Sequence, residues 1–316
     1  MAETPAAGLA QALGTPIGVL VTGGTGFVGQ QLVAAMVAGG HRVTVLSRSA
    51  GRPRGMPQGV DVVTSLDSVP NDSAIDAVVS LAGEPIANGL WTKARRQRIV
   101  ASRLGVAQAV LALIERLEVR PKVLVTASAI GWYGLRGDEG LDESSAGTPC
   151  FSRDVCVAIE DAAARVEPLG VRNVPLRIGL VLGEGGGLLG RMILPYKLGL
   201  GGPFGNGQHW MSWIHRDDLV RLICHAIASP ALSGPVNATA PNPVRNREFS
   251  KALGKALNRP AFLAVPALPL KLALGDMARE LLLSGQRVLP AAAERAGFVF
   301  RYPELDAALR AVVAKR

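Results

Sequence analysis

The stretch that decides the fold runs from residue 18 to residue 29 and reads Gly18-Val19-Leu20-Val21-Thr22-Gly23-Gly24-Thr25-Gly26-Phe27-Val28-Gly29. Small and apolar residues lead directly into three glycines at intervals of three, Gly23, Gly26 and Gly29. Apolar residues then recur at helical spacing, and a second apolar run follows at residues 42–46. This pattern places the glycines between a buried strand and the first turn of a helix, inside a βαβ unit.

Each of the three glycines has a physical reason to be there. Gly23 allows a tight turn, Gly26 lets the backbone approach a pyrophosphate, and Gly29 lets the helix pack closely on the sheet. The unpaired N–H groups of the helix start then face the phosphates. A turn without a ligand is the alternative, but three glycines at the start of an apolar helix cost stability unless something needs the space. The sequence therefore predicts a dinucleotide site, with these residues in contact with the cofactor: Thr22, Gly23, Thr25, Gly26, Phe27, Val28 and Gly29.

Length and periodicity indicate how the chain is divided. A chain of 316 residues with 48% hydrophobic residues is long enough for a doubly wound domain and a smaller companion. The alternation of strands and helices breaks down after the glycine-rich stretch at 183–187. We expect an α/β fold, a Rossmann-type doubly wound parallel sheet with a smaller C-terminal substrate lobe. The expected division is a flexible N-terminal extension at 1–16, a Rossmann domain at 17–182, and a lobe at 183–316 from which about 208–240 returns to the Rossmann domain.

Composition argues against several classes of protein. There is no run of eighteen apolar residues, and residues 1–16 lack a basic residue and a long apolar block, so we expect no membrane span and no targeting peptide. Three cysteines without CxxC spacing indicate reduced thiols in a cytoplasmic setting and no metal site. The net charge of +9 includes a basic cluster at 93–103, but aromatic residues make up only 4% of the chain. We interpret the cluster as a solvated helix face and expect no nucleic-acid partner.

The residues after the second strand bear on the choice of cofactor. An acidic residue there would bind the adenosine ribose hydroxyls and select NAD, whereas this chain has Ser47 and Arg48. A hydroxyl and a guanidinium suit a 2′-phosphate, because arginine binds phosphate with two parallel charge-assisted hydrogen bonds. The sequence predicts NADP, with Arg52 or Arg54 able to share the task. A merely surface-exposed Arg48 is the alternative.

Further candidates follow the later strands, whose carboxyl ends meet at one crevice. Leu81, Ala82 and Gly83 end the fourth strand, where small residues let a cofactor pass close to the backbone. Ser128 ends the fifth strand and Tyr133 follows it, so both are expected at the edge of the crevice, where Ser128 is also expected to contact the cofactor.

Several blocks of the sequence, in order, resemble the extended short-chain dehydrogenase/reductase superfamily. More narrowly, the chain resembles its atypical "epimerase family protein" group, which is NAD-dependent epimerase/dehydratase-like and carries a C-terminal domain of unknown function. The resemblance is carried by the glycine turn and by five further blocks: 81–86, 128–134, 199–203, 212–215 and 283–290. It implies a Rossmann fold, nicotinamide nucleotide binding and a poorly defined reaction. Many relatives pair through helices beside the fifth strand, so a homodimer is expected by analogy.

The chain departs from the superfamily where a tyrosine and a lysine four residues later supply the acid–base chemistry. Depending on register, Ser152 and Cys156 or Phe151 and Val155 stand there. The lysine charge is what lowers the pKa of such a tyrosine, so the usual proton donor is missing.

The resemblance assigns roles to the remaining candidates. Ser128 matches the family's hydrogen-bonding serine, and Tyr133 is the candidate for a substitute proton donor unless its hydroxyl anchors the loop. Arg177 is expected to frame the nicotinamide end of the cofactor or the substrate end of the site, with a salt bridge at the sheet end as the alternative. His209 is a candidate for substrate contact or proton transfer.

Two functions stay open from the sequence. One is an NADP-dependent oxidoreductase or epimerase acting on a small molecule, with Ser128 and Tyr133 polarising the substrate. The other is a non-catalytic NADP(H) sensor, which the missing tyrosine–lysine pair favours. The same scaffold hosts both.

Overall fold

The computed structural model describes residues 7–49, 51, 53 and 55–314. Its strands, in chain order, are β1 (Gly18–Thr22), β2 (Arg42–Leu46), β3 (Val60–Val63), β4 (Ala77–Ser80), β5 (Val123–Ala129), β6 (Gly140–Leu141), β7 (Arg172–Ile178), β8 (Leu180–Leu182), β9 (Trp210–Met211), β10 (Trp213–His215), β11 (Val236–Ala238), β12 (Val244–Arg245) and β13 (Arg287–Val288). Its α-helices are α1 (Gly29–Ala38), α2 (Lys93–Arg116), α3 (Phe151–Ala164), α4 (Gly187–Lys197), α5 (Arg216–Ala228), α6 (Asn246–Leu257), α7 (Ala267–Leu274), α8 (Asp276–Leu281), α9 (Ala291–Arg295) and α10 (Leu305–Ala314).

A parallel sheet of seven strands, in the order β3-β2-β1-β4-β5-β7-β11, forms the centre of the protein. Every neighbouring pair in it is parallel. Strand β1 is buried along its whole length, as expected of an apolar strand covered on both faces. The strand order reverses beside β1, which is the switch point where open α/β sheets bind ligands. The predicted Rossmann-type fold is confirmed.

Two hydrophobic cores lie on opposite faces of this sheet. Helices α1 and α5 cover one face, where Met36 and Leu222 pack with Val21. Helix α2 covers the other face, where Leu113 and Ile114 pack with neighbouring strands. Helices on both faces make the domain doubly wound, and they leave the carboxyl ends of the strands as the open edge.

The C-terminal part has its own core. Helices α4, α6 and α10 surround Trp213, Phe249 and Leu309, which are all fully buried. Within the 208–240 segment, β11 pairs with β7 in the main sheet and α5 covers that sheet. Strand β13 pairs with β6, which ties the C-terminal part to the loop after β5. The boundary at residue 182 stays a prediction.

The N-terminal segment differs from the flexible extension that the sequence suggested for residues 1–16. Two short 3₁₀ helices, Ala7–Leu9 and Gln11–Leu13, lie against the domain. Leu9 and Ala10 are buried in the same core as α1 and α5. Burial of these apolar side chains offsets the cost of ordering the segment. The flexible extension stays a prediction: residues 7–13 form short helices against the domain, and residues 1–6 lie outside the described range.

Helix α2 is, within the described ranges, the one helix long and apolar enough to cross a membrane by length and composition. Its Val110, Leu113 and Ile114 are buried against the sheet. That is the position of a core helix in a doubly wound domain, and such helices pass the same composition test.

Candidate functional site

The turn between β1 and α1 is shaped around its glycines. Gly23 has a φ of +72°, and a Cβ there would lie 2.7 Å from the backbone nitrogen of Ala82. A Cβ on Gly29 would overlap the carbonyl oxygen of Gly23, so α1 starts directly against the turn. A Cβ on Gly26 would lie 3.2 Å from the same oxygen. The turn has no room for a side chain at Gly23 or Gly29, and a side chain at Gly26 would crowd it.

The start of α1 suits an anion. Its own first turn carries no acidic side chain, and the positive end of the helix dipole faces the turn. Thr25 and Gly26 are exposed, so their backbone is open to a ligand. The ring of Phe27 lies under the guanidinium of Arg216, 4.8 Å from ring centroid to carbon. These features fit the diphosphate of a dinucleotide, with the glycine cradle as the observation that carries the fit.

Ser47 and Arg48 follow β2 as the sequence suggested, but they differ in availability. Ser47 is buried, and its hydroxyl donates to the Ser49 carbonyl oxygen at 3.1 Å and accepts from the Ser49 nitrogen at 3.2 Å. Arg48 is exposed. The serine hydroxyl is thus committed to its own turn, and Arg48 is the side chain free to meet a phosphate here. Arg52 and Arg54 lie outside the described residues.

A cavity of about 360 Å³ opens where β4 and β5 end, beneath the C-terminal part of the chain. From the Rossmann side it is lined by residues that include Leu81, Ala82, Gly83, Ser128 and Cys156. From the C-terminal side its lining includes His209, Trp210, Glu280 and Gln286. The structure therefore brings the residues after β4 together with Ser128, as the shared edge of parallel strands requires.

Ser128 is held by a carboxylate beneath it. Its hydroxyl donates to Glu160 Oε1 at 2.6 Å. Because that proton is used, the oxygen of Ser128 presents lone pairs to the cavity and acts as an acceptor toward a ligand.

Tyr133 and Arg177 are not among the residues that line the cavity, so the structure does not bring these two predicted site residues into it. Tyr133 is fully buried, and its hydroxyl donates to Asn237 Oδ1 at 2.7 Å and accepts from Arg177 Nη1 at 3.3 Å. Burial raises the pKa of Tyr133, so this hydroxyl holds its proton more tightly than a free one. These contacts are those of an anchor for the loop after β5, which was the alternative considered for Tyr133, and they do not support the predicted catalytic role.

Arg177 is committed to the interior in the same way. Its Nη2 lies 2.9 Å from Glu160 Oε2 and its Nε 3.1 Å from Oε1. Its guanidinium stacks on Trp132 at 3.5 Å from the ring centroid, and only 3% of the side chain is exposed. The structure has the salt bridge that was considered as the alternative for Arg177, and it does not support the predicted contact with the cofactor.

Sequence reasoning missed two residues of the cavity. Glu280, on α8, accepts from the nitrogen of Ser152 at 2.9 Å and from its hydroxyl at 2.6 Å, which fastens the C-terminal part to the start of α3. Arg103 lines the cavity from α2, although the sequence placed it on a solvated face. Helical spacing from the buried Ile99 could have flagged Arg103. No sequence signal pointed to Glu280, because its partner is 128 positions away.

Two titratable side chains that line the cavity, His209 and Cys156, keep one protonation state near neutral pH. Burial lowers the pKa of His209 to about 4, so the imidazole is neutral at pH 7. Burial raises the pKa of the Cys156 thiol to about 11, and its Sγ donates to the carbonyl oxygen of Ala129 at 3.5 Å. Cys156 is therefore a protonated thiol and a poor nucleophile. Within the described residues, no group of histidine, cysteine and acidic side chains is arranged to hold a metal.

We expect His209 to make stability fall as pH drops from 6.5 toward 4. The unfolded histidine takes up a proton near pH 6.5 and the folded one only near pH 4, so protons favour the unfolded chain in this window. Allowing for partial exposure, the loss amounts to about 1–2 kcal/mol. Urea unfolding at several pH values should show a shallower pH dependence for His209→Gln than for the wild type. Parallel curves for the two proteins would contradict the assignment.

The glycine turn, the switch-point sheet and the cavity beside it define a dinucleotide-binding protein of the Rossmann class. Residues 19–238 match the NAD dependent epimerase/dehydratase family, and residues 265–312 match a domain of unknown function, DUF1731. The chain belongs to this NAD dependent epimerase/dehydratase family, and the resemblance to its "epimerase family protein" group is confirmed.

Individual relatives are similar along almost their whole length. The epimerase family protein YfhF of Bacillus subtilis is 38% identical over 301 residues, covering 94% of this chain and 98% of the relative. The crystal structure of human epimerase family protein SDR39U1 (isoform2) with NADPH has a TM-score of 0.87 and 34% identity, covering 95% of this chain and 100% of that one. A UDP-glucose 4-epimerase from Thermotoga maritima, crystallised with UDP-glucose, has a TM-score of 0.77 at 17% identity and shares the fold.

Proposed function

We propose that this protein is an NADP(H)-binding oxidoreductase or epimerase that acts on a small molecule held in the cavity. The observation that carries the proposal is the cavity itself, which lies at the same sheet edge as the glycine turn and is covered by the C-terminal part. The NADPH in the structure of the human relative supports the choice of coenzyme.

The residues that would hold the coenzyme follow from the geometry. The backbone of the glycine turn and the start of α1 would bind the diphosphate, and Arg48 would bind the 2′-phosphate. The backbone at Leu81, Ala82 and Gly83 would line its path toward the cavity. When bound, the nicotinamide supplies hydride transfer.

The residues that line the cavity are suited to binding and orienting the substrate rather than to transferring protons. Ser128 donates to Glu160 and Ser152 donates to Glu280, so both hydroxyl oxygens accept hydrogen bonds from a ligand. Each of these oxygens suits a substrate hydroxyl, which donates one proton. The C-terminal part lies over the cavity and contributes to its lining.

The test is hydride transfer. Purified protein with NADPH should lose the near-ultraviolet absorbance of the reduced nicotinamide when small carbonyl compounds are added. Ser128→Ala should lower the turnover rate without changing the affinity for NADPH. Ser68→Ala, in the exposed turn Leu66–Ser68, is the matched control. Unchanged turnover in Ser128→Ala would contradict its role.

A non-catalytic NADP(H) sensor is the second candidate function. It is favoured by Ser152 or Phe151 standing where the family's tyrosine belongs and by a neutral thiol at Cys156. Tight NADPH binding with no hydride exchange toward any carbonyl or alcohol tested would support the sensor over the enzyme.

We expect Arg48→Asp to reverse the preference for NADPH over NADH. The substitution removes a cation that can form charge-assisted hydrogen bonds with the 2′-phosphate and introduces a like charge in its place. The ratio of the two affinities should fall at least about 10-fold. Isothermal titration of both coenzymes measures it, with Arg120→Asp as a control on an exposed arginine before β5. Equal preference in wild type and variant would show that another residue selects the coenzyme.

We also propose that the protein works in the cytoplasm and forms a homodimer. The three cysteines are free thiols, which suits a reducing setting such as the cytoplasm. The homodimer expected from relatives would pair through α2 and α3, and light scattering of the purified chain would test it.

A further inference from the structure

Arg103 is a charged side chain that lines the cavity, and it has no carboxylate partner among the described residues. Its Nη1 donates to the carbonyl oxygen of Ile99 at 3.0 Å, and this is its one hydrogen bond within the described part of the chain. No described aspartate or glutamate forms an ion pair with it. The side chain runs along the backbone at Gly83, where an added Cβ would come 3.1 Å from its Cγ and Cζ. The remaining N–H groups of the guanidinium are therefore available to a ligand.

The surroundings make this charge costly in the absence of a ligand. Burial lowers the pKa of Arg103; the neighbouring Cys156 opposes this shift and the like charge of Arg95 adds to it. The neighbouring carboxylates are already engaged: Glu84 pairs with Arg95, Glu160 with Arg177, and Glu280 with the start of α3. A partly buried cation without a counter-charge destabilises the free protein, and an anion bound beside it relieves that cost.

We propose that the cavity is an anion subsite and that its second ligand, besides the coenzyme, carries a carboxylate bound by Arg103. The inference rests on the proposed function, because it assigns the substrate class of the same cavity. Arginine is the side chain that matches a carboxylate with two parallel hydrogen bonds.

The charge of the cavity selects a carboxylate over a phosphate. Among the described lining residues, Arg103 is the one basic side chain that carries its charge at neutral pH, since His209 is neutral there. The lining also holds the Glu280 carboxylate, which accepts hydrogen bonds from Ser152 and adds no positive charge for an anion. A phosphate ester carries close to two negative charges at neutral pH and would keep one of them uncompensated.

The rest of the lining describes the body of the ligand. Ile86, Ile130, Val155 and Leu281 supply apolar surface, and Ser128 and Ser152 supply hydrogen-bond acceptors. A compact carboxylic acid that also bears a hydroxyl group satisfies all three kinds of contact.

The test is a binding measurement on the full chain, with and without saturating NADP⁺. Butyrate is the probe, its neutral isostere butyramide is the matched comparison, and inorganic phosphate is the third ligand. In isothermal titration we expect butyrate to bind at least about 10-fold more tightly than butyramide. Arg103→Gln should bring butyrate down to the affinity of butyramide, and Arg103→Lys should retain part of the difference. Arg98→Gln, exposed on the same helix, should change nothing.

Thermal unfolding separates a binding role from a merely structural one. Without ligand, Arg103→Gln should be at least as stable as the wild type, because it removes an uncompensated charge. Butyrate should raise the Tm of the wild type and leave that of Arg103→Gln unchanged. A lower Tm for ligand-free Arg103→Gln would overturn the proposal, as would equal affinity for butyrate and butyramide or stronger binding of phosphate than of butyrate.

The coenzyme titration keeps the two proposals apart. If Arg103→Gln weakens NADPH binding and leaves butyrate binding intact, the guanidinium serves the coenzyme and the anion subsite is wrong. If the wild type binds neither NADPH nor NADH, the proposed function fails, while butyrate binding to the coenzyme-free chain still decides the role of Arg103.

Discussion

Gly29→Ala should abolish most NADP(H) binding and lower the free energy of unfolding. The new Cβ would overlap the carbonyl oxygen of Gly23 and would lie 2.7 Å from the Cα of Gly24. These are backbone atoms, so no side chain can rotate away and the whole turn has to move off α1. Overpacking of this kind costs about 1–3 kcal/mol. A displaced turn no longer directs its N–H groups at the diphosphate. We expect this loss of alignment to weaken NADPH binding roughly 100-fold.

Isothermal titration with NADPH and urea unfolding measure the two effects. Gly105→Ala is the matched control, because Gly105 lies within α2 and an added Cβ there meets no atom within 4 Å. That control should keep its NADPH affinity and gain about 0.5–1 kcal/mol of stability from helix propensity. Wild-type affinity in Gly29→Ala would show that the coenzyme does not use this turn.

The sequence predicted the fold well because the signals for it are local. The apolar run of β1, the glycine spacing and the helical period of α1 occur within 20 residues and require no knowledge of distant contacts. The same holds for the residues after β4 and for Ser128, since parallel strands bring their carboxyl ends to one edge whatever their separation in sequence. Position along a strand was sufficient to place these residues at the site.

The two catalytic candidates differ in orientation. Ser128, within β5, lines the cavity, whereas the ring of Tyr133, just after β5, turns into the interior, where its hydroxyl donates a hydrogen bond to Asn237 Oδ1 on β11. No local pattern in the sequence indicates that Tyr133 will bond to Asn237, which lies 104 positions away. Arg177 was misplaced for the same reason, because alternation along a strand gives two faces and the sequence did not say which face held an acid.

Two residues of the cavity escaped prediction, for different reasons. Glu280 reaches α3 from a short helix, through a contact between residues 128 positions apart. Arg103 lies on α2 among other basic residues and differs from them in that its side chain lines the cavity. Both residues are charged, and composition alone assigns charged residues to the solvent. Their placement in the structure moves the functional hypothesis from proton transfer by a tyrosine to recognition of a charged substrate.

Arg177→Met should be the most destabilising of the substitutions considered, by about 3–5 kcal/mol. The methionine fills much of the space but leaves the Glu160 carboxylate without its cation, in a place where its side chain is only 12% exposed. Because Ser128 donates to the same carboxylate, the loss also disturbs the floor of the cavity. Urea unfolding measures the change, and Arg120→Met, at an exposed arginine, should cost less than about 0.5 kcal/mol. Adding Glu160→Gln to Arg177→Met removes the unpaired charge, so the double variant should recover part of the stability. A loss below about 1 kcal/mol in Arg177→Met, or no recovery in the double variant, would mean that stacking on Trp132, rather than the ion pair, fixes this side chain.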